Sequence, residues 1–211
     1  MARPRVLLGD DHAMFSEGLR RILEPQFEIV GTAENGLDLL AAAERLQPAV
    51  VVVDISVPLL NGIGVARRLK KVANPPKIIL LTMHADPTLA TEGFKAGVSA
   101  YVLKSSPASE VVTAIQEALR GRIYISPAVA GDILGELTRS HDQPVKLAPE
   151  LTPRQREVLQ LIAEGKSPKE IAAILDVSPR TVEFHKYRIM ETIGARTIAE
   201  LTRYAVTHGL V

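Results

Sequence analysis

The stretch AVVVVDISVP, residues 49–58, decides the fold. Four valines run into a single carboxylate, Asp54, and Pro58 follows shortly after. An apolar run rich in β-branched residues predicts a strand buried on both faces, the kind found in parallel sheets covered by helices on either side. A lone carboxylate is costly to bury. Asp54 therefore either caps a turn or stands at the mouth of the strand, where it can do chemistry.

Working outward, RVLLG (5–9), FEIVGTA (27–33), KIILLT (77–82) and SAYVLK (99–104) are runs of the same kind. Helical spacing fills the intervals: Met14, Gly18, Leu19 and Ile22 share a face, as do Val65, Leu69 and Val72, and Val111, Val112, Ile115 and Leu119. Five alternating βα units over residues 1–121 predict an α/β domain with a five-stranded parallel sheet. Residues 151–211 carry no strand pattern. Helix starts recur there instead: Thr152-Pro153-Arg154-Gln155, Ser167-Pro168-Lys169-Glu170, Ser178-Pro179 and Thr197-Ile198-Ala199-Glu200. Ser or Thr followed three residues later by Glu or Gln is a capping box, and proline suits the first helical turn. This predicts an all-α unit of four helices. Between the two regions, 122–150 reads as a linker with a helix over 126–138 and a polar, proline-containing end, HDQPVKLAPE (141–150).

The bulk numbers narrow the class. A chain of 211 residues accommodates two small domains. Net charge is +1 and splits unevenly, with 13 cationic and 13 anionic residues in 1–120 but 9 and 7 in 151–211. That mild C-terminal excess points weakly to nucleic acid. There are no cysteines, which excludes disulfides, thiolate catalysis and Cys-based zinc sites. The N-terminal apolar run is too short for a signal peptide, and no stretch reaches a membrane span. A cytoplasmic protein with no membrane partner is expected.

In a doubly wound sheet, ligands bind beyond the carboxyl ends of the strands. Asp10-Asp11, Asp54, Thr82 and Lys104 end strands one, three, four and five in turn. Singly, each has an ordinary structural explanation: a helix cap, an Asx turn, a strand-end hydroxyl, a surface lysine. Together they place three carboxylates, one hydroxyl and one ammonium on a single rim. Like charges so gathered call for a counter-ion, and hard oxygen donors select a hard cation such as Mg²⁺. A carboxylate beside a metal and a lysine can attack phosphorus and form an aspartyl-phosphate.

The segments LLGDDHAMFSEGLRRIL, VVVVDISVPLLNGIGVARRL, ILLTMH and AGVSAYVLKSS, in that order over about residues 4–120, resemble the receiver domain of bacterial two-component response regulators. The resemblance implies a flavodoxin-like strand order 2-1-3-4-5 and phosphorylation of Asp54 by a histidine kinase. It implies Mg²⁺ held by Asp10, Asp11, Asp54 and the backbone carbonyl of Ser56, with Thr82 and Lys104 gripping the phosphoryl oxygens. Tyr101 matches the aromatic that couples phosphorylation to the neighbouring surface, against the simpler reading of a half-buried strand aromatic. Ser56 and His84 stand where phosphoryl lifetime is tuned. No enzymatic turnover is expected beyond self-phosphorylation and slow autodephosphorylation. One departure stands out: the family often has glycine after the proline, and this chain has Leu59-Leu60.

Within SPKEIAAILDVSPRTVEFHKYRIMETIG (167–194), a helix, a short turn and a second helix give the DNA-reading arrangement. At 100° per residue, Val182, Ile189 and Ile193 share the core stripe, and Arg180, Phe184, Tyr187 and Glu191 lie opposite. Two aromatics on a polar face either pack on a neighbour or contact thymine methyls, sugars and phosphates in the major groove. Residues 151–211, above all LTPRQREVL and TVEFH, resemble the NarL/FixJ (LuxR-type) output domain. The resemblance places base-reading at Glu183, Phe184 and Tyr187, with Lys169, Arg180, Thr181, His185, Lys186 and Arg188 nearby. It implies double-stranded promoter DNA as partner and a homodimer when phosphorylated. Many members have lysine where Glu183 stands; here a carboxylate either accepts from a cytosine amino group or weakens phosphate affinity.

Overall fold

The computed structural model describes residues 2–83, 85–131 and 151–211. Val50–Asp54 forms the central strand β3, buried along its whole length. It is flanked by β1 (Arg5–Gly9) and β4 (Lys77–Thr82), and the sheet continues through β2 (Glu28–Ala33), β5 (Ala100–Leu103) and a short β6 (Tyr124–Ile125). The order is β2-β1-β3-β4-β5-β6, all parallel. Helices α1 (Ala13–Leu23), α2 (Gly36–Leu46), α3 (Gly62–Leu69), α4 (Pro87–Ala96) and α5 (Ser109–Leu119) alternate with the strands.

Side-chain alternation explains why the strands read as unbroken apolar runs. Leu7, Val51, Val53, Ile78 and Leu80 face α2, α3 and α4. Their neighbours Val6, Leu8, Val50, Val52, Ile79 and Leu81 face α1 and α5. Both faces are dry, so neither set can be polar. Helix starts are fixed locally: the Asn35 side chain accepts from Leu37 N and Asp38 N, and Asp86 accepts from Thr88 N and Leu89 N.

Two expectations are corrected. The sheet has six strands rather than five, because Tyr124 and Ile125 pair with Ala100 and Tyr101. The receiver also runs past residue 121: Ser126 N donates to Tyr101 O at 2.9 Å, and Val129 is buried in the sheet's core. The helix expected over 126–138 is described only in its first turn, residues 127–131, and the rest lies outside the described residues, as does 141–150.

The helical unit comprises α6 (Pro153–Ala163), α7 (Pro168–Leu175), α8 (Pro179–Ile193) and α9 (Ile198–Thr207). Full capping boxes form at Thr152/Gln155 and Ser167/Glu170, while Ser178 and Thr197 accept from Thr181 N and Glu200 N. Its core gathers Val158, Leu159, Leu161, Ile171, Val182, Ile189, Leu201 and Ala205. Leu59, from the receiver, packs against this core. The two units therefore touch, along α6 on one side and the β3–α3 loop with α3 and α4 on the other.

Candidate functional site

The carboxyl ends of the strands bring the predicted rim together. Asp10 continues β1: its N–H donates to Ala33 O, and the residue is buried at 6% exposure. Asp54 ends β3 at 3% exposure. Lys104 follows β5, where its N–H donates to Thr82 O at 2.7 Å. That bond aims the side chain inward, so Nζ lies 2.7 Å from Asp10 Oδ2 and 2.9 Å from Asp54 Oδ2. Nζ also sits 4.7 Å from the centre of the Phe15 ring. A lysine that sequence statistics place on the surface is thus buried between two carboxylates.

The electrostatics follow from this packing. Burial pushes the Asp54 carboxyl above its ordinary range, with Lys104 opposing the shift and Asp10 adding to it. Burial alone would lower Lys104, but the two carboxylates outweigh it and hold the ammonium above its usual value. Ser56 N–H hydrogen-bonds Asp54 from the following loop. Asp11 is partly exposed, and His12 Nδ1 lies 2.9 Å from Asp11 Oδ1 and 3.2 Å from Asp10 Oδ1. One donor atom each from Asp10, Asp11, His12 and Asp54 falls within 4.8 Å of the others. Asp10 Oδ2 is buried, with the Lys104 ammonium as its charged neighbour. Three convergent carboxylates fit a small divalent cation. His12 is an addition that the sequence reading passed over.

Thr82 is buried at 4% exposure and hydrogen-bonds Tyr101. Tyr101 is fully buried rather than half-buried, and its Oη donates to Asp86 O at 3.4 Å. Burial raises its phenol to about 12. His84 lies outside the described residues.

The second candidate surface is α8. Val182 and Ile189 are buried, as the periodicity predicts, while Phe184 and Tyr187 stand 58% and 64% exposed. Lys186 Nζ lies 2.5 Å from Glu183 Oε2 and 5.0 Å from the Tyr187 ring centre. Arg188 Nη1 lies 2.9 Å from Glu191 Oε2, with its guanidinium 5.8 Å from the Phe184 ring. Glu183 is therefore engaged by Lys186. Thr181 belongs to the cap, its N–H donating to Ser178 Oγ. His185 is partly buried, which lowers its imidazole pKa, and Arg154 adds to the shift. Arg180 and Lys169 are exposed on the same unit.

Between the units lies a contact that the sequence reading missed. Gln160 on α6 is fully buried. Its Oε1 accepts from Asn61 N at 2.9 Å, and its Nε2 donates to Val57 O at 3.1 Å and to Glu164 Oε1 at 2.8 Å. Glu164 Oε1 in turn accepts from Leu59 N at 3.1 Å. Arg156 pairs with Glu92 of α4, and Arg68 Nη2 lies 3.3 Å from Glu157 Oε1. The only sequence signal was a polar pair spaced i,i+4 within the apolar run VLQLIAE.

Comparison with known proteins gives two family matches. Residues 6–116 match the response regulator receiver domain, and residues 149–205 match the bacterial regulatory proteins of the luxR family. Over 209 residues the chain is 34% identical to the transcriptional regulatory protein MctR of Rhizobium johnstonii, covering 98% of this chain and 95% of that protein. It is 35% identical over 205 residues to the probable transcriptional regulatory protein NarL of Mycobacterium tuberculosis, covering 94% of each. Among solved structures, the RcsB response regulator of Salmonella typhimurium, described for its conformational dynamism in DNA interaction, superposes with a TM-score of 0.70. The match has 25% identity and covers 98% of both chains.

Proposed function

The chain belongs to the response regulators that join a receiver domain to a LuxR-type DNA-binding domain, and on that premise we propose that Asp54 is the phosphoacceptor through which a histidine kinase controls promoter binding. One observation carries the reading: Asp54 is buried at the sheet's rim with Lys104 Nζ 2.9 Å from its Oδ2 and Asp10 on the ammonium's other side.

In the proposed transfer, an Asp54 carboxylate oxygen attacks phosphorus. The P–N bond to the kinase's imidazole breaks, and its electron pair leaves with that ring. Asp10, Asp11, Asp54 and the Ser56 carbonyl would hold Mg²⁺, and the ion would supply positive charge against phosphoryl oxygens. Lys104 exchanges the Asp54 oxygen for a phosphoryl oxygen. Thr82 turns its hydroxyl to another and weakens its bond to Tyr101. Because Tyr101 is buried from the outset and already bonds both Thr82 and the Asp86 carbonyl, its part is to lose the first partner and keep the second. An apolar groove of about 240 Å³ lined by Met14, Phe15, Gly18 and Ile22 opens beside Lys104. The protein turns over no other substrate on this reading. Phosphorylation favours a homodimer, whose paired α8 helices meet two half-sites on double-stranded promoter DNA. Lys169, Arg180, Lys186 and Arg188 serve the backbone, and Glu183, Phe184 and Tyr187 the bases.

The test is labelling by a small phosphodonor with Mg²⁺, followed by intact-mass measurement and sizing chromatography. Wild type should gain one phosphoryl group and shift to a dimer, and Asp54→Asn should do neither. Equal labelling of the variant would refute Asp54 as acceptor.

A further inference from the structure

His12 follows the acidic pair and stands at the start of α1. Its backbone N–H donates to Asp10 Oδ1 at 2.9 Å. The side chain has no comparable structural duty. Residues at this position often cap the helix through a side-chain oxygen, and the imidazole makes no capping bond. It is 68% exposed, so packing does not hold it either. The ring nevertheless turns to the rim, with Nδ1 2.9 Å from Asp11 Oδ1 and 3.2 Å from Asp10 Oδ1. That nitrogen and one oxygen each from Asp10, Asp11 and Asp54 fall within 4.8 Å of one another. Ligands on opposite sides of one divalent ion stand about 4–5 Å apart, so one ion can reach all four. Lys104 does not compete for the same atom of Asp10: its ammonium lies on Oδ2, and His12 approaches Oδ1.

We propose that His12 is a further ligand of the rim's cation site, and that its imidazole nitrogen biases the site from Mg²⁺ towards a first-row transition ion such as Mn²⁺. This rests on the reading of the rim as a divalent-cation site. Ligand chemistry fixes the direction. Mg²⁺ takes oxygen donors and gives up its waters reluctantly, so a nitrogen adds little to its binding. Mn²⁺ accepts the same carboxylates, and transition ions gain more from imidazole than Mg²⁺ does. The ring can serve either state. Facing carboxylates, Nδ1 carries the proton and donates it; facing a cation, Nδ1 offers its lone pair and the proton sits on Nε2. Solvent around the exposed ring can accept from Nε2–H, so the change of tautomer leaves no buried group unsatisfied.

Calorimetric titration of the full chain with Mg²⁺ and with Mn²⁺, as chlorides, tests this alongside pulsed electron paramagnetic resonance of the Mn²⁺-loaded chain. His12→Ala should bind Mn²⁺ about tenfold more weakly than wild type, the low end of what a lost supporting group costs a metal site, while its Mg²⁺ affinity changes by no more than about twofold. The wild-type spectrum should carry modulation from a bound imidazole nitrogen, and the variant's should lose it. His12→Gln offers an oxygen in place of the nitrogen; it should keep Mg²⁺ binding and lose both the Mn²⁺ preference and the modulation. A merely structural histidine would weaken the two ions alike. An Mn²⁺-to-Mg²⁺ preference unchanged in the variants, or a wild-type spectrum without the nitrogen modulation, overturns this proposal alone. A wild type that binds neither ion overturns it together with the reading of the rim as a cation site.

Discussion

Lys104 offers the sharpest test of the rim's electrostatics. Its Nζ lies 2.7 Å from Asp10 Oδ2 and 2.9 Å from Asp54 Oδ2, and all three side chains are within about 5% of full burial. At an effective dielectric of about 20, each contact is worth about 6 kcal/mol of attraction. Desolvating three charges offsets most of that sum. What persists is asymmetric: removing one partner of a buried pair costs about 3–5 kcal/mol, because the other charge is left uncompensated. Lys104→Met keeps the apolar stem against Phe15 and strands both carboxylates. We expect it to lose about 3 kcal/mol of receiver stability in EDTA, read as faster exchange of the β3 amides of Val52 and Val53, which open only with the sheet. Mg²⁺ should restore most of the loss, since a ligand present at 100 times its Kd stabilises by about 2.7 kcal/mol. Adding Asp54→Asn should also recover part of it, because one stranded charge is removed, giving a non-additive cycle. A Lys104→Met chain within 0.5 kcal/mol of wild type in EDTA, by the usual threshold for a neutral surface change, would refute the buried three-charge cluster.

Other outcomes follow from single contacts. A Cβ at Gly36 would sit 1.8 Å from the Leu60 carbonyl oxygen, so Gly36→Ala should cost about 3 kcal/mol in a urea titration. Thr82→Ala should still take up a phosphoryl group but fail to shift in sizing chromatography, because Tyr101 loses the partner that reports the modification. Arg180→Ala should flatten the dependence of log affinity for DNA on log salt by about 0.9 if it meets one phosphate. Phe184→Ala should instead leave that slope unchanged and reduce discrimination between cognate and altered duplexes by about 1–3 kcal/mol; an altered slope would place the ring's effect on the backbone.

Much of this was legible because it is local. Capping at Thr152, Ser167, Ser178 and Thr197 depends on residues three apart, and all four caps form as read. The face of α8 follows from its period, and Val182 and Ile189 are buried accordingly. Besides His12, two features escaped. β6 is two residues long, too short for alternation to register, and exists only because β5 offers it an edge. Gln160 looked like an ordinary polar position on an amphipathic helix. Its burial depends on a surface 99 residues away in the chain, counted to Asn61. Leu59 was visible as a departure, but its reason was not.

The five longer strands and the helices that alternate with them, the dryness of β3 and the residue types at each strand end were legible along the chain, since these rest on short-range periodicity and steric preference. That Lys104 stands between Asp10 and Asp54 rather than in solvent, that Tyr101 is fully buried, and that α6 grips the loop after β3 emerged only in three dimensions. Those outcomes depend on distances across the sheet and between the two domains. Coulomb attraction and desolvation there are set by separations of about 3 Å that no spacing along the chain encodes.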